Sequence, residues 1–253
     1  MKGNLTIDIG NTTVKVAFFL GTELVATTRF VAGDGQVLDR FISTYKPDSA
    51  VLCSTAADSA TRQIVKLAES RCHSVLHLTH ETLLPITLAY RTPETLGRDR
   101  IATAVAAWSL VQEQDKLSDV LVIDAGTAVT YDLVLADGTF VGGNIAPGMR
   151  LRFASLHDHT GRLPLVAPGG DTPVMGDDTV TAIRSGVLLG LLYEVRGCVA
   201  ALRHKYPGLR VFITGGDGEW LYSRLDDVNS SYYEHLAAEG LNRIHLYNQA
   251  NEN

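Results

Sequence analysis

Residues 5–28, LTIDIGNTTVKVAFFLGTELVATT, and residues 120–144, VLVIDAGTAVTYDLVLADGTFVGGN, share one order of features. Each reads as an apolar strand, a D-x-G turn with hydroxyl residues after it, a second strand, a glycine-containing turn and a third strand. Asp8 aligns with Asp124 and Gly10 with Gly126 without a gap. The match predicts an internal duplication, with two similar halves facing each other across a cleft. The expected halves are residues 1–116 and 117–253.

Outward from the first copy, apolar strands at residues 50–53 and 74–78 alternate with helical spacing at residues 37–45 and 61–72. That alternation predicts crossover units on a partly parallel sheet, and so an α/β fold. Residues 83–93 read as irregular, and residues 98–114 as a helix. In the second half, helices are expected at residues 149–156 and 179–205. Gly186, Gly190 and Gly197 either weaken the longer helix or allow a close helix contact. The terminal residues 248–253 read as frayed.

Composition narrows the function. The chain has 253 residues, is 45% hydrophobic, and carries 22 Lys and Arg against 28 Asp and Glu, a formal charge of −6. No basic run could follow a phosphate backbone, so nucleic acid is not an expected partner. Cys53, Cys72 and Cys198 are odd in number and far apart, which suggests neither a disulfide framework nor a zinc site. With no apolar leader and no stretch of about 18 apolar residues, a cytoplasmic protein without membrane association is expected.

A D-x-G-N-T turn meets three needs of a phosphate site. Gly10 lets the backbone approach a ligand, Asn11, Thr12 and Thr13 offer donors, and Asp8 can hold a hydrated divalent cation. Alone, the turn also fits an ordinary hairpin. The second copy, Asp124, Gly126, Thr127 and Thr130, together with a third glycine turn at Thr214 to Gly218, points instead to a nucleotide. GGNIAPG, residues 142–148, reads alone as a structural turn. LGRDR, residues 96–100, opens a helix where backbone N–H groups, Arg98 and Arg100 favour an anion and Asp99 can act as a base. A helix cap with solvated charges fits the same residues. His157 and His159, on either side of Asp158, read as a surface loop in preference to a metal site.

In order and spacing, DIGNT, LGRDR, DAGTA, GGNIAPG and ITGG closely resemble the type III pantothenate kinases, from residue 5 to about residue 225. The resemblance implies the duplicated actin, hexokinase and Hsp70-like ATPase fold, which is ribonuclease H-like in each half. It implies ATP-dependent phosphorylation of the 4′-hydroxyl of pantothenate, the first step toward coenzyme A. Carried over by position, the nucleotide phosphate loop falls on Asp8, Ile9, Gly10, Asn11, Thr12, Thr13, Val14 and Lys15, with Thr127 as a further ATP contact. The substrate loop falls on Gly97, Arg98, Asp99 and Arg100, with Asp99 as proton acceptor, and Tyr90 and Thr179 also bind substrate. Mg²⁺ is expected near Asp8 and a monovalent cation, K⁺ or NH₄⁺, at Asp124. A homodimer is expected, with residues 179–205 as a contact surface. The chain departs from the family pattern at YRTP, residues 90–93, and at Asn144. A kinase of another small metabolite and a non-catalytic ATP-binding regulator are the alternative readings.

Overall fold

The computed structural model describes residues 3–10, 13–31, 34–54, 59–114 and 117–251. It divides into two compact units, residues 1–116, 137–141 and 235–253 forming the first and residues 117–136 and 142–234 the second. Two segments from beyond the expected division at 116/117, residues 137–141 and the end of the chain, thus fold with its beginning.

The first unit holds a sheet in the order β3-β2-β1-β4-β5, with strands β1 (Gly3–Ile9), β2 (Thr13–Leu20), β3 (Glu23–Val31), β4 (Ser49–Ser54) and β5 (Ser74–His77). β1 is antiparallel to β2 and parallel to β4. As the central strand it is covered on both faces, and Leu5, Ile7 and Ile9 are each at most 1% exposed. The edge strand β3 instead alternates between exposed and partly buried residues. Helices α1 (Gly35–Tyr45) and α2 (Ser59–Arg71) occupy the expected crossovers. A short β6 (Thr87–Leu88) lies in the stretch read as irregular, and a 3₁₀ turn at Pro93–Thr95 begins at its end.

Helix α3 (Arg98–Gln112) buries residues on all sides, among them Ile101, Ala104 and Val105. In the second unit the order is β11-β10-β7-β8-β9, formed by β7 (Val120–Ala125), β8 (Ala128–Val134), β9 (Thr139–Pro147), β10 (Arg210–Thr214) and β11 (Ser230–Tyr232). The first residues of β9 fall in the first unit, where Thr139 and Phe140 pair with β6. Strand for strand, β7 to β11 repeat the neighbour order of β1 to β5.

Helix α4 (Met149–Asp158) carries His157 at its end, where Nδ1 bonds the Leu163 carbonyl at 2.9 Å. Helix α5 (Thr179–Lys205) is capped by Asp178, whose carboxylate accepts from the Thr181 N–H at 2.9 Å. By length and composition α5 is apolar enough to cross a membrane, contrary to the reading that no stretch is. Ile183, Val187, Leu191, Val195 and Val199 of this helix, however, lie in one buried cluster with Leu121 and Ile123 of β7. A Cβ on Gly186, Gly190 or Gly197 would meet nothing within 4 Å. A short α6 (Gly218–Tyr222) follows β10.

The sequence reading missed α7 (Leu236–Asn251), and residues 248–251, expected to fray, belong to it. Its buried face is polar as well as apolar. Asn242 accepts from Asn4 at 3.2 Å and donates to the Gly21 carbonyl at 2.8 Å, and Asn248 donates to the Leu83 carbonyl at 2.9 Å. His245, 3% exposed, shares a 2.7 Å hydrogen bond with Ser49, while its Nδ1 has no partner. Burial lowers its pKa to about 4.

Two predictions follow from α7. A Cβ on Gly240 would collide with the Ala102 carbonyl of α3, so Gly240→Ala should lower stability by ~2 kcal/mol in urea denaturation. The lowered pKa of His245 means that the unfolded chain takes up its proton first, near pH 6.5. Stability should therefore be complete above that pH and fall as pH drops toward 4, by at most about 3 kcal/mol. The urea midpoint of His245→Gln should vary less over this window than that of the natural chain.

Candidate active site

In the first unit the site is built on Asp8, near the end of β1. The ladders set Asp8 opposite Lys15 of β2 on one side and Cys53 of β4 on the other. The Cys53 thiol, 1% exposed, donates to Asp8 Oδ1 at 3.4 Å. Burial raises the Asp8 pKa; Lys15 and the thiol bond oppose that rise, and the negative charge of Asp99 adds to it. Asp99 is therefore within electrostatic reach of Asp8, although the two lie 91 positions apart in the chain. Beyond Asp8 the chain turns tightly, the Gly10 N–H bonding the Thr13 carbonyl at 3.1 Å. Ile9 and Val14 point into the core, and Lys15 is exposed. Asn11 and Thr12 lie outside the described residues.

Asp99 stands in the first turn of α3, and its Oδ1 accepts from the Arg100 N–H at 2.9 Å. Gly97 precedes the helix because a Cβ there would lie 2.5 Å from Asp99 Oδ1. The two arginines of LGRDR divide their work. Arg98 turns back on its own loop and donates to the carbonyls of Leu96, Pro93 and Glu94 at 2.7, 3.2 and 3.3 Å. It braces the loop, where the sequence suggested an anion ligand. Arg100 is 6% exposed and lies 5.9 Å from the centre of the Tyr90 ring. Tyr90 packs edge-on to the buried Phe140 at 6.1 Å. Asp8, Lys15, Tyr90, Asp99 and Arg100 all belong to the first unit.

The second unit repeats the central carboxylate. Asp124, near the end of β7, pairs with Thr130 of β8 and Thr214 of β10. Here the turn closes with the Gly126 N–H on the Ala128 carbonyl at 2.9 Å. Thr127 is exposed, and its carbonyl accepts from the Gly148 N–H at 3.0 Å. Any side chain on Gly148 would strike the carbonyls of Gly126 and Thr127, so GGNIAPG buttresses the second D-x-G turn. Gly215, at φ +97°, lies against the Asp124 carboxylate, and a Cβ on it would come 2.5 Å from the Ala125 carbonyl oxygen. The Thr130 hydroxyl is buried without a partner. Thr179 is the exposed first residue of α5.

A central carboxylate at the end of a strand in each unit, each beside a glycine turn, is the arrangement the duplicated motifs led one to expect. The family profile described as type III pantothenate kinase matches residues 4–201. The chain belongs to this family. Type III pantothenate kinases from Phocaeicola vulgatus and Bacteroides fragilis are 42% and 43% identical to it, each over 97% of this chain and 98% of theirs. One from Porphyromonas gingivalis is 38% identical over 98% of this chain and all of its own.

Among solved structures, a Baf family transcriptional activator from Campylobacter jejuni superposes with a TM-score of 0.64 at 21% identity, over 97% of this chain and 99% of that one. A glucokinase from an Antarctic psychrotroph gives 0.54 at 12% identity, over 98% and 99%. At such identities these structures establish the fold alone, that of the actin, hexokinase and Hsp70-like ATPases.

Cys53 was missed in the sequence, where cysteines were weighed only for disulfides and zinc. Its contact with Asp8 arises from parallel pairing across 45 residues. The Gly97 contact gives a test of the Asp99 geometry. Gly97→Ala should displace the Asp99 carboxylate and lower turnover by roughly tenfold or more. The thermal midpoint should stay close to that of the natural chain, since the colliding atom ends a movable side chain.

Proposed function

We propose that the chain transfers the γ-phosphoryl group of ATP to the primary 4′-hydroxyl of pantothenate, the step that opens coenzyme A synthesis. Family membership supplies the substrates, and the approach of Asp99 to Asp8 within one unit supports the chemistry. Phosphoryl transfer passes through a loose transition state, so the protein mainly positions the reactants and balances charge. The oxygen-donor carboxylate of Asp8, with Oδ1 held by Cys53, suits a hydrated Mg²⁺. Bound there, Mg²⁺ would offset charge on the phosphates.

Lys15, Thr13 and the backbone at Gly10 hold phosphate oxygens, as do Asn11, Thr12 and Thr127. Asp99 accepts the proton of the attacking hydroxyl. Arg100 offers its guanidinium to the pantothenate carboxylate beside the Tyr90 ring, with Thr179 as a further contact. K⁺ or NH₄⁺ at Asp124 completes the nucleotide side. The orphaned Thr130 hydroxyl and the bare Gly215 beside Asp124 fit such an ion. The enzyme works in the cytoplasm as a homodimer, with α5, which exposes Val180 and Tyr193, as a contact surface.

The Asp99 assignment carries a direct test. Asp99→Asn should keep ATP binding near that of the natural enzyme by calorimetry while turnover falls by ~10² or more. Turnover near the natural level would remove Asp99 from the role of base.

A further inference from the structure

In the second unit one carboxylate joins three elements. Glu194 of α5 accepts at Oε1 from the Tyr131 hydroxyl of β8, 2.8 Å away, and at Oε2 from Arg152 Nη2 of α4, 2.6 Å away. Tyr131 is 3% exposed, and the Arg152 and Glu194 side chains are 19% and 35% exposed. A partly buried pair of this kind is screened less than one in open solvent.

The guanidinium has a second partner, because Arg152 Nε donates to the Pro147 carbonyl at 2.8 Å. That carbonyl shares a peptide unit with the Gly148 N–H, which donates to the Thr127 carbonyl at 3.0 Å. The unit is planar and trans, so its carbonyl and its N–H point in opposite directions. Fixing one end fixes the other. A Cβ on Gly148 would strike the carbonyls of Gly126 and Thr127, so this peptide lies directly on the second D-x-G turn. The contacts close a ring. From Thr127 it runs along β8 to Tyr131, then through Glu194, Arg152 and the Pro147–Gly148 peptide back to Thr127. All of these residues belong to the second unit. A turn presents its side chain in one place only if the backbone under it is held.

We infer that Arg152 is a positioning residue for ATP: braced by Glu194 and Tyr131, it holds the peptide that sets the second D-x-G turn and the Thr127 hydroxyl on it. The inference rests on the reading of Thr127 as an ATP contact. Its test measures ATP binding by calorimetry, KM for ATP and for pantothenate, and the urea midpoint in Arg152→Met, Glu194→Gln, Tyr131→Phe and Thr127→Ala. Calorimetry reports on ATP whether or not pantothenate is the acceptor.

Met keeps the apolar stem of Arg152 and removes its donors. Arg152→Met should weaken ATP binding and raise KM for ATP roughly tenfold, while KM for pantothenate stays within about twofold. Glu194→Gln and Tyr131→Phe, each close in size to the natural residue, should raise KM for ATP by roughly threefold. Adding Glu194→Gln to Arg152→Met should change little more, since the carboxylate acts through the guanidinium. If Arg152→Met does not fold, the Gln and Phe variants decide the matter. Natural ATP binding in Arg152→Met and Glu194→Gln, alongside weakened binding in Thr127→Ala, would overturn the inference and leave Thr127 standing. A lowered urea midpoint in those two variants with KM for ATP unmoved would reduce the network to a structural brace. Natural ATP binding in Thr127→Ala would overturn the Thr127 assignment, and the inference with it.

Discussion

A carboxylate at the end of a buried central strand loses hydration, and the strands beside it must compensate. Each unit is organised around that demand. Asp8 has an ammonium on one flank and a thiol donor on the other, and burial still raises its pKa. The glycines follow from the same crowding. Gly215 and Gly148 bring backbone against the second turn, where any side chain would collide with Asp124, Gly126 or Thr127. The polar residues that interrupt an apolar strand therefore specify the site and constrain the fold together.

The proposed acceptor side depends on a helix start. Asp99 stands in the first turn of α3, from where its charge acts on Asp8, and Gly97 leaves room for its carboxylate. Arg98 contributes by fixing the preceding loop through its carbonyls, and Arg100 lies buried beside Tyr90. Phe140, fully buried, steadies Tyr90 from a strand far along the chain.

Much of this was legible in the sequence. Alternation and helical spacing located β1 to β5 and α1 to α5, and the repeated D-x-G turns gave β7 to β9 as a second copy of β1 to β3. The rest was hidden for physical reasons. Helix α7 buries Asn242, His245 and Asn248, residue types that a reading by hydrophobic period assigns to the surface. Cys53 meets Asp8 only through strand pairing, and Thr130 replaces Lys15 only because a turn is shorter by one residue. Arg98 also donates to three carbonyls of its own loop, a bracing role that its composition does not announce. Such contacts depend on register and rotamer, which composition does not encode.

The kinase reading joins a family assignment to a geometry in which the proposed base, the proposed phosphate turn and a buried guanidinium share one unit. Its most direct test is ADP release by the natural chain with ATP and Mg²⁺, with and without pantothenate. The account predicts turnover that depends on pantothenate and yields one phosphopantothenate for each ADP. ATP binding with no pantothenate-dependent ADP release would contradict it.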